Sequence, residues 1–171
     1  MLTAILMGPP GSGKSSVGKS LAHRMGLTFC DTDLVIEQEC KKRIAEIFIE
    51  DGEPYFREIE RAVVLDKLSK GQGILALGGG SVLDPITHAA LTASDIPIIF
   101  LDVSLSSASP RVGFNRDRPL LLGNPRAKWQ ELMNARRPIY EDLATFTVQT
   151  DELTPSQVAE RIASHLTSGV K

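Results

Sequence analysis

No stretch of this chain is long and apolar enough to lie in a bilayer. The longest apolar run, Ile96 to Leu101, is interrupted by Pro97 and falls far short of the ~20 residues of a membrane span. It reads as a buried strand. A basic excess is missing too: 19 Lys+Arg stand against 21 Asp+Glu, for a formal net charge of −2. That balance argues against a nucleic-acid partner, and no basic helix argues for a membrane surface. Cysteine is scarce. Cys30 and Cys40 have no metal-ligand partners at a useful spacing and read as free thiols in a reducing cytosol. The first residues carry no charged leader or cleavable apolar segment, so a targeting signal is not expected and a cytoplasmic location is. No repeat, low-complexity tract or linker divides the 171 residues, of which 42% are hydrophobic. Those values suit a single domain, residues 1–171, with its own core.

What is present is an alternation of apolar runs with helical patterns. Strands are expected near Leu2–Met7, Thr28–Cys30, Ile74–Leu77, Ile98–Leu101 and Thr145–Val148. Helices are expected over Lys14–Met25, Asp33–Cys40, Ile44–Asp51, Glu53–Ser69, Pro85–Ala93, Arg126–Leu143 and Pro155–Thr167. This order is the mark of an α/β fold, a five-stranded parallel sheet with helices on both faces. In the 53–69 helix, Phe56, Ile59, Val63 and Leu68 are expected to share one apolar side. Pro155 stands at a first helical position, after Thr154 as cap.

The most informative line is Gly8-Pro9-Pro10-Gly11-Ser12-Gly13-Lys14-Ser15, a match to G-x-x-x-x-G-K-[ST] between an apolar run and a helix. Gly8, Gly11 and Gly13 allow turns that a side chain would obstruct. Successive N–H groups then form an anion-binding nest, and the helix behind adds its own unpaired N–H groups and dipole. Lys14 brings a mobile charge to the β- and γ-phosphates, and Ser15 a hydroxyl to Mg²⁺. The motif specifies a nucleoside triphosphate with magnesium and leaves the acceptor open.

Candidate acceptor residues follow the second and third strands, because open parallel sheets bind ligands beyond their carboxyl ends. Asp31 and Asp33, two apart on extended chain, point the same way. One can hold magnesium through water, and the other can orient an acceptor hydroxyl and take its proton. The competing reading is that Asp33 caps a helix. Gly78-Gly79-Gly80 permits close approach of a ligand to the backbone. Arg57, Arg111, Arg116, Arg118, Arg136 and Arg137 are candidate forks for carboxylate or phosphate, each weighed against a solvated surface charge. Residues 112–125, rich in glycine, proline and arginine, are expected to be a lid closing over the phosphates.

Taken in order, Gly8–Ser16, Asp31-Thr32-Asp33, Phe56-Arg57-Glu58-Ile59-Glu60, Leu77-Gly78-Gly79-Gly80, Arg118-Pro119-Leu120-Leu121 and Arg136-Arg137-Pro138-Ile139-Tyr140 resemble shikimate kinase through nearly the whole chain. The P-loop is generic, whereas the combination of the other five is not. The resemblance implies a P-loop kinase fold like that of nucleoside monophosphate kinases, with a lid, a shikimate-binding region near 31–60 and a monomeric state. It implies transfer of the γ-phosphoryl of ATP to the 3-hydroxyl of shikimate, on the route to aromatic amino acids. By motif, Gly11, Ser12, Gly13, Lys14, Ser15 and Ser16 would hold the phosphates. Ser15 would bind Mg²⁺ directly and Asp31 through water. Asp33 would hold the acceptor hydroxyl as base or orienter. Arg57, Gly79, Gly80 and Arg136 would bind shikimate, with Glu60 steadying Arg57. Arg118 would stabilise charge during transfer, and Arg111 and Pro155 would flank adenine. Ser16 stands where the family usually has Thr. Pro110 departs from the family's helix at 109–112, because proline disrupts helix interiors. Asp102 reads as a strand-end residue. The rival readings are a gluconate kinase, a nucleoside monophosphate kinase and a nucleotide-dependent switch. The Asp-x-Asp, glycine triplet and paired arginines together set the first aside, the lack of a second base-binding pocket in the motifs sets the second aside, and turnover on a small acceptor would set aside the third.

Overall fold

The computed structural model describes residues 1–112, 121 and 123–169. Five strands form one parallel sheet: β1 (Leu2–Met7), β2 (Phe29–Asp31), β3 (Gly73–Ala76), β4 (Ile98–Asp102) and β5 (Phe146–Gln149), in the order β2-β3-β1-β4-β5. Among the described residues, eight α-helices pack around it: α1 (Lys14–Met25), α2 (Thr32–Cys40), α3 (Ile44–Glu50), α4 (Glu53–Lys70), α5 (Pro85–Thr92), α6 (Leu105–Val112), α7 (Pro125–Leu143) and α8 (Pro155–Ser168). The expected strands and helices are all present, displaced by a residue or two at their ends.

The three middle strands are apolar except for Thr3 of β1 and Asp102 at the end of β4, because both faces of the sheet are covered. Side chains alternate across the sheet. Ala4 and Leu6 of β1 pack with Val17 and Leu21 of α1 and Val158 and Ile162 of α8. Ile5 and Met7 face the other way, against Val64 of α4, Leu91 of α5, Ala108 of α6, and Met133 and Tyr140 of α7. The Tyr140 ring stacks on Phe100 of β4 with centroids 5.0 Å apart.

Four details differ from expectation. The single apolar side expected of α4 divides. Phe56 and Val63, with Ile59 beside them, join Ile36 and Ile47 in a satellite cluster with α2 and α3. Val64 and Leu68 instead face the main core. Periodicity sees one amphipathic helix; the fold wedges it between two layers. Pro110 does lie inside a helix, α6. It sits in the last turn, so one backbone bond is lost, and the buried Ala108 and Val112 hold the segment to the core. Val112 closes α6 and Pro125 opens α7 behind the Asn124 cap, so the expected lid loses both end residues to helices, and its residues 113–120 and 122 lie outside those described. A 3-10 turn, Ser81–Leu83, follows the glycine triplet and was not legible in the pattern.

Candidate active site

The phosphate-type loop runs from the end of β1 into α1. Gly11 has φ +80°, and a Cβ there would lie 2.7 Å from Val112 Cγ2, so α6 packs directly on the loop. Gly13 (φ +88°) opens α1 with no side-chain cap, which leaves helix N–H groups available to an anion. Lys14 Nζ donates to the carbonyls of Gly8 (2.9 Å) and Pro9 (3.1 Å). The loop is also fastened from outside. Arg111 Nη1 donates to Gly11 O at 3.3 Å, and Trp129 Nε1 donates to Pro10 O at 2.7 Å.

At the end of β2 the chain turns helical at once. Asp31 is the N-cap of α2, accepting from Asp33 N at 3.0 Å. Asp33 therefore sits in the first turn of the helix, correcting both the extended Asp-x-Asp picture and the reading of Asp33 as cap. Both carboxylates still line the same cleft, because a strand-to-helix turn projects the cap and the first turn beyond the sheet edge. The other oxygen of Asp31 accepts from Ser15 Oγ at 2.5 Å.

The glycine triplet is tightly enclosed. A Cβ on Gly78 would meet Glu60 Oε1 (2.6 Å) and Asp33 Oδ1 (2.7 Å), one on Gly79 would meet Gly8 O and Arg136 Nη1 (3.3 and 3.4 Å), and one on Gly80 would strike both Arg57 Nη atoms at 2.6 Å. Only hydrogen fits at Gly78 and Gly80 without displacing a charged group. Arg57 Nη1 donates to Glu60 at 2.7 Å, and its other side reaches Glu53 at 3.2 Å. Burial pushes the Glu60 carboxyl above its usual value against the pull of Arg57 and Arg136. The Arg57 guanidinium is raised, its two glutamates outweighing the desolvation that opposes them. Arg136 is 4% exposed, and its Nε has no hydrogen-bond partner among the described residues, a costly arrangement for a buried donor. Tyr140 donates to Gly79 O at 2.6 Å, and burial pushes its phenol up to about 12.

A cleft of about 390 Å³ brings together Gly11, Ser12, Gly13, Lys14, Ser15 and Ser16, with Asp31, Asp33, Gly79, Arg111 and Pro155. Arg57, Gly80 and Arg136 do not line it. They stand behind Asp33 and Gly79, joined to the cleft through the glycine triplet. Arg116 and Arg118 lie outside the described residues. Arg137 turns away from the site and grips both oxygens of Asp102 at 2.8 Å, so Asp102 is the strand-end residue expected. The cleft also takes Thr150 and Leu153, which follow β5, and Val158 of α8. Residue type does not mark these three, but Thr150 was findable from its place beyond a strand's carboxyl end.

The sheet order, the loop at the end of β1 and the oxygen donors facing it define a P-loop kinase. The family model for shikimate kinase matches residues 10–167. A shikimate kinase of Thermobifida fusca is 47% identical over 95% of this chain and 94% of its own length, and one of Salinispora arenicola 48% over 95% and 96%. The solved shikimate kinase of Acinetobacter baumannii in complex with shikimate is 30% identical, with a TM-score of 0.92 over 100% of this chain and 97% of that one. A deoxyadenosine kinase from M. mycoides, 18% identical with a TM-score of 0.64, shares the fold. The chain belongs to the shikimate kinase family.

Proposed function

We propose that the cleft transfers the γ-phosphoryl of ATP to the 3-hydroxyl of shikimate, giving shikimate 3-phosphate and ADP. Family membership makes shikimate the acceptor. The observation that carries the reaction into this cleft is the meeting of the P-loop, the Asp31/Asp33 pair and Gly79 around one volume. Gly11, Ser12, Gly13, Lys14, Ser15 and Ser16 hold the phosphates through amides, hydroxyls and the lysine charge. Arg111 and Pro155 flank the adenine side of the same cleft.

Mg²⁺ fits the donors present. Ser15 Oγ and Asp31 Oδ2 are hard oxygens already in contact at the cleft wall, and this ion takes few protein ligands and keeps several waters. Ser15 would bind it directly and Asp31 through water. Bound there, the ion would offset negative charge on the β- and γ-phosphates. Asp33 accepts the proton of the 3-hydroxyl or orients it for in-line attack. The shikimate carboxylate is met by Arg57 and Arg136, whose buried Nε has no partner among the described residues and is a donor in want of an acceptor. Gly79 and Gly80 offer backbone where a side chain would collide. Arg118, carried over from the family motif alone, supplies charge to the transferring group.

The chain is read as one domain, 1–171, acting on small molecules as a cytoplasmic monomer without nucleic-acid or membrane partners. Its near-balanced charge supports the lack of a nucleic-acid partner, and among the described residues no helix is long and apolar enough to cross a membrane. The test is ADP release with ATP and Mg²⁺ against shikimate, gluconate and AMP in parallel. Turnover with shikimate alone is expected; equal or greater turnover with either other acceptor overturns the reading.

A further inference from the structure

Three residues of α7 fall on one stripe: Trp129, Arg136 and Tyr140, at i, i+7 and i+11, with Met133 between them. All four are buried. The stripe reaches two different backbone segments. At one end the Trp129 indole N–H donates to Pro10 O of the P-loop (2.7 Å), and at the other the Tyr140 hydroxyl donates to Gly79 O of the glycine triplet (2.6 Å). In a trans peptide the C=O and the following N–H point in opposite directions. A carbonyl drawn toward α7 therefore turns the next amide away from it. Those amides belong to Gly11 and Gly80, and neither N–H has a protein acceptor among the described residues. Pro9 and Pro10 bring no N–H of their own to the loop, so Gly11 is the first donor available after Gly8.

We propose that α7 aims two peptide planes: Trp129 turns the Gly11 amide toward the phosphates of the donor, and Tyr140 turns the Gly80 amide toward the acceptor beside Arg57. Both are positioning residues. The proposal rests on the reading of the cleft as the site where ATP meets shikimate. One helix thereby sets the orientation of donor and acceptor backbone together, with Arg136 between. The planes need this help because each contains glycine, which leaves the peptide free to rotate.

The test separates the two ends. Trp129→Phe keeps an aromatic ring and removes the donor; it is expected to raise KM for ATP roughly three- to tenfold, the effect of one neutral hydrogen bond, with KM for shikimate unchanged. Tyr140→Phe is expected to do the reverse. In amide NMR spectra the Gly11 resonance shifts in the first variant and Gly80 in the second. Met133→Leu, on the same stripe but with no polar contact, leaves both constants in place even if Tm falls. Should Trp129→Phe not fold, a benzothienylalanine at this sole tryptophan position removes only the N–H. Equal shifts in both KM values, or none in either with an intact fold, overturn the proposal. Failure of the unaltered enzyme to phosphorylate shikimate would instead overturn the functional reading beneath it.

Discussion

Replacing Arg57 by alanine probes the acceptor side of the site and a buried carboxylate in one step. Glu60 is 2% exposed and takes Arg57 Nη1 at 2.7 Å. Removing the guanidinium leaves that carboxylate buried with only the more distant charge of Arg136 to oppose it. Breaking a buried pair from one side costs about 3–5 kcal/mol, a large part of the ~5–15 kcal/mol that holds a domain folded. The carboxyl can escape part of this cost by taking up a proton. Burial already raises its pKa, and loss of Arg57 raises it further. A carboxyl raised in the folded state contributes its stability fully below the unfolded value of about 4.3 and loses it as pH rises through the folded value. The deficit of Arg57→Ala against the unaltered protein therefore shrinks near pH 5 and widens near pH 8. Urea unfolding at the two pH values measures it. In the double variant Arg57→Ala/Glu60→Gln the charge is gone, so stability returns and its extra pH dependence disappears. Acceptor binding does not return. A hydrogen bond between charged partners is worth about 1.5–3 kcal/mol, so KM for shikimate should rise by roughly 10- to 150-fold in both variants, with KM for ATP unchanged. A shikimate KM equal to that of the unaltered enzyme, or a deficit independent of pH, would refute the reasoning.

Asp33→Asn should remove most phosphoryl transfer while nucleotide binding, followed by titration with an ATP analogue, stays near its original strength; full turnover in that variant would sink its role at the acceptor hydroxyl. Gly80→Ala places a methyl 2.6 Å from both Arg57 Nη atoms, so saturation curves for shikimate should shift to higher concentration while those for ATP do not. Asp84 accepts from the first-turn amides Ile86 N and Thr87 N of α5 and also pairs with Arg61 of α4. Its loss in Asp84→Ala should cost about 1 kcal/mol through the cap alone. Because Arg61 holds the Asp84 carboxyl below its usual value, that stability is present above pH ~4 and fades on further acidification; thermal melts across that range check the direction.

Much of the site could be read from residue order because the chemistry demands unusual residues at strand ends. Gly8–Ser15 could only be a phosphate loop in its strand–loop–helix setting, and Asp31, Asp33 and the glycine triplet stood where parallel sheets place ligands. Asp33's local geometry was misread because an extended run and a helix start look alike over three residues, and only the cap bond from Asp33 N to Asp31 tells them apart. Pro110 misled for a related reason. The rule against proline concerns an isolated helix interior, whereas α6 is held by burial of Ala108 and Val112 against the core and the P-loop.

The P-loop, the α/β alternation and the family were determined by the sequence alone, since each depends on local spacing that survives without a fold. Where each arginine stands was decided only in three dimensions. Arg136 and Arg137 are neighbours in the chain, yet a helix turns consecutive residues about 100° apart. One is buried behind the glycine triplet and the other is spent on Asp102. The grip of α7 on Pro10 and Gly79 likewise spans 119 and 61 residues of chain, a separation that no local pattern encodes and that the packing of the helix against the sheet creates.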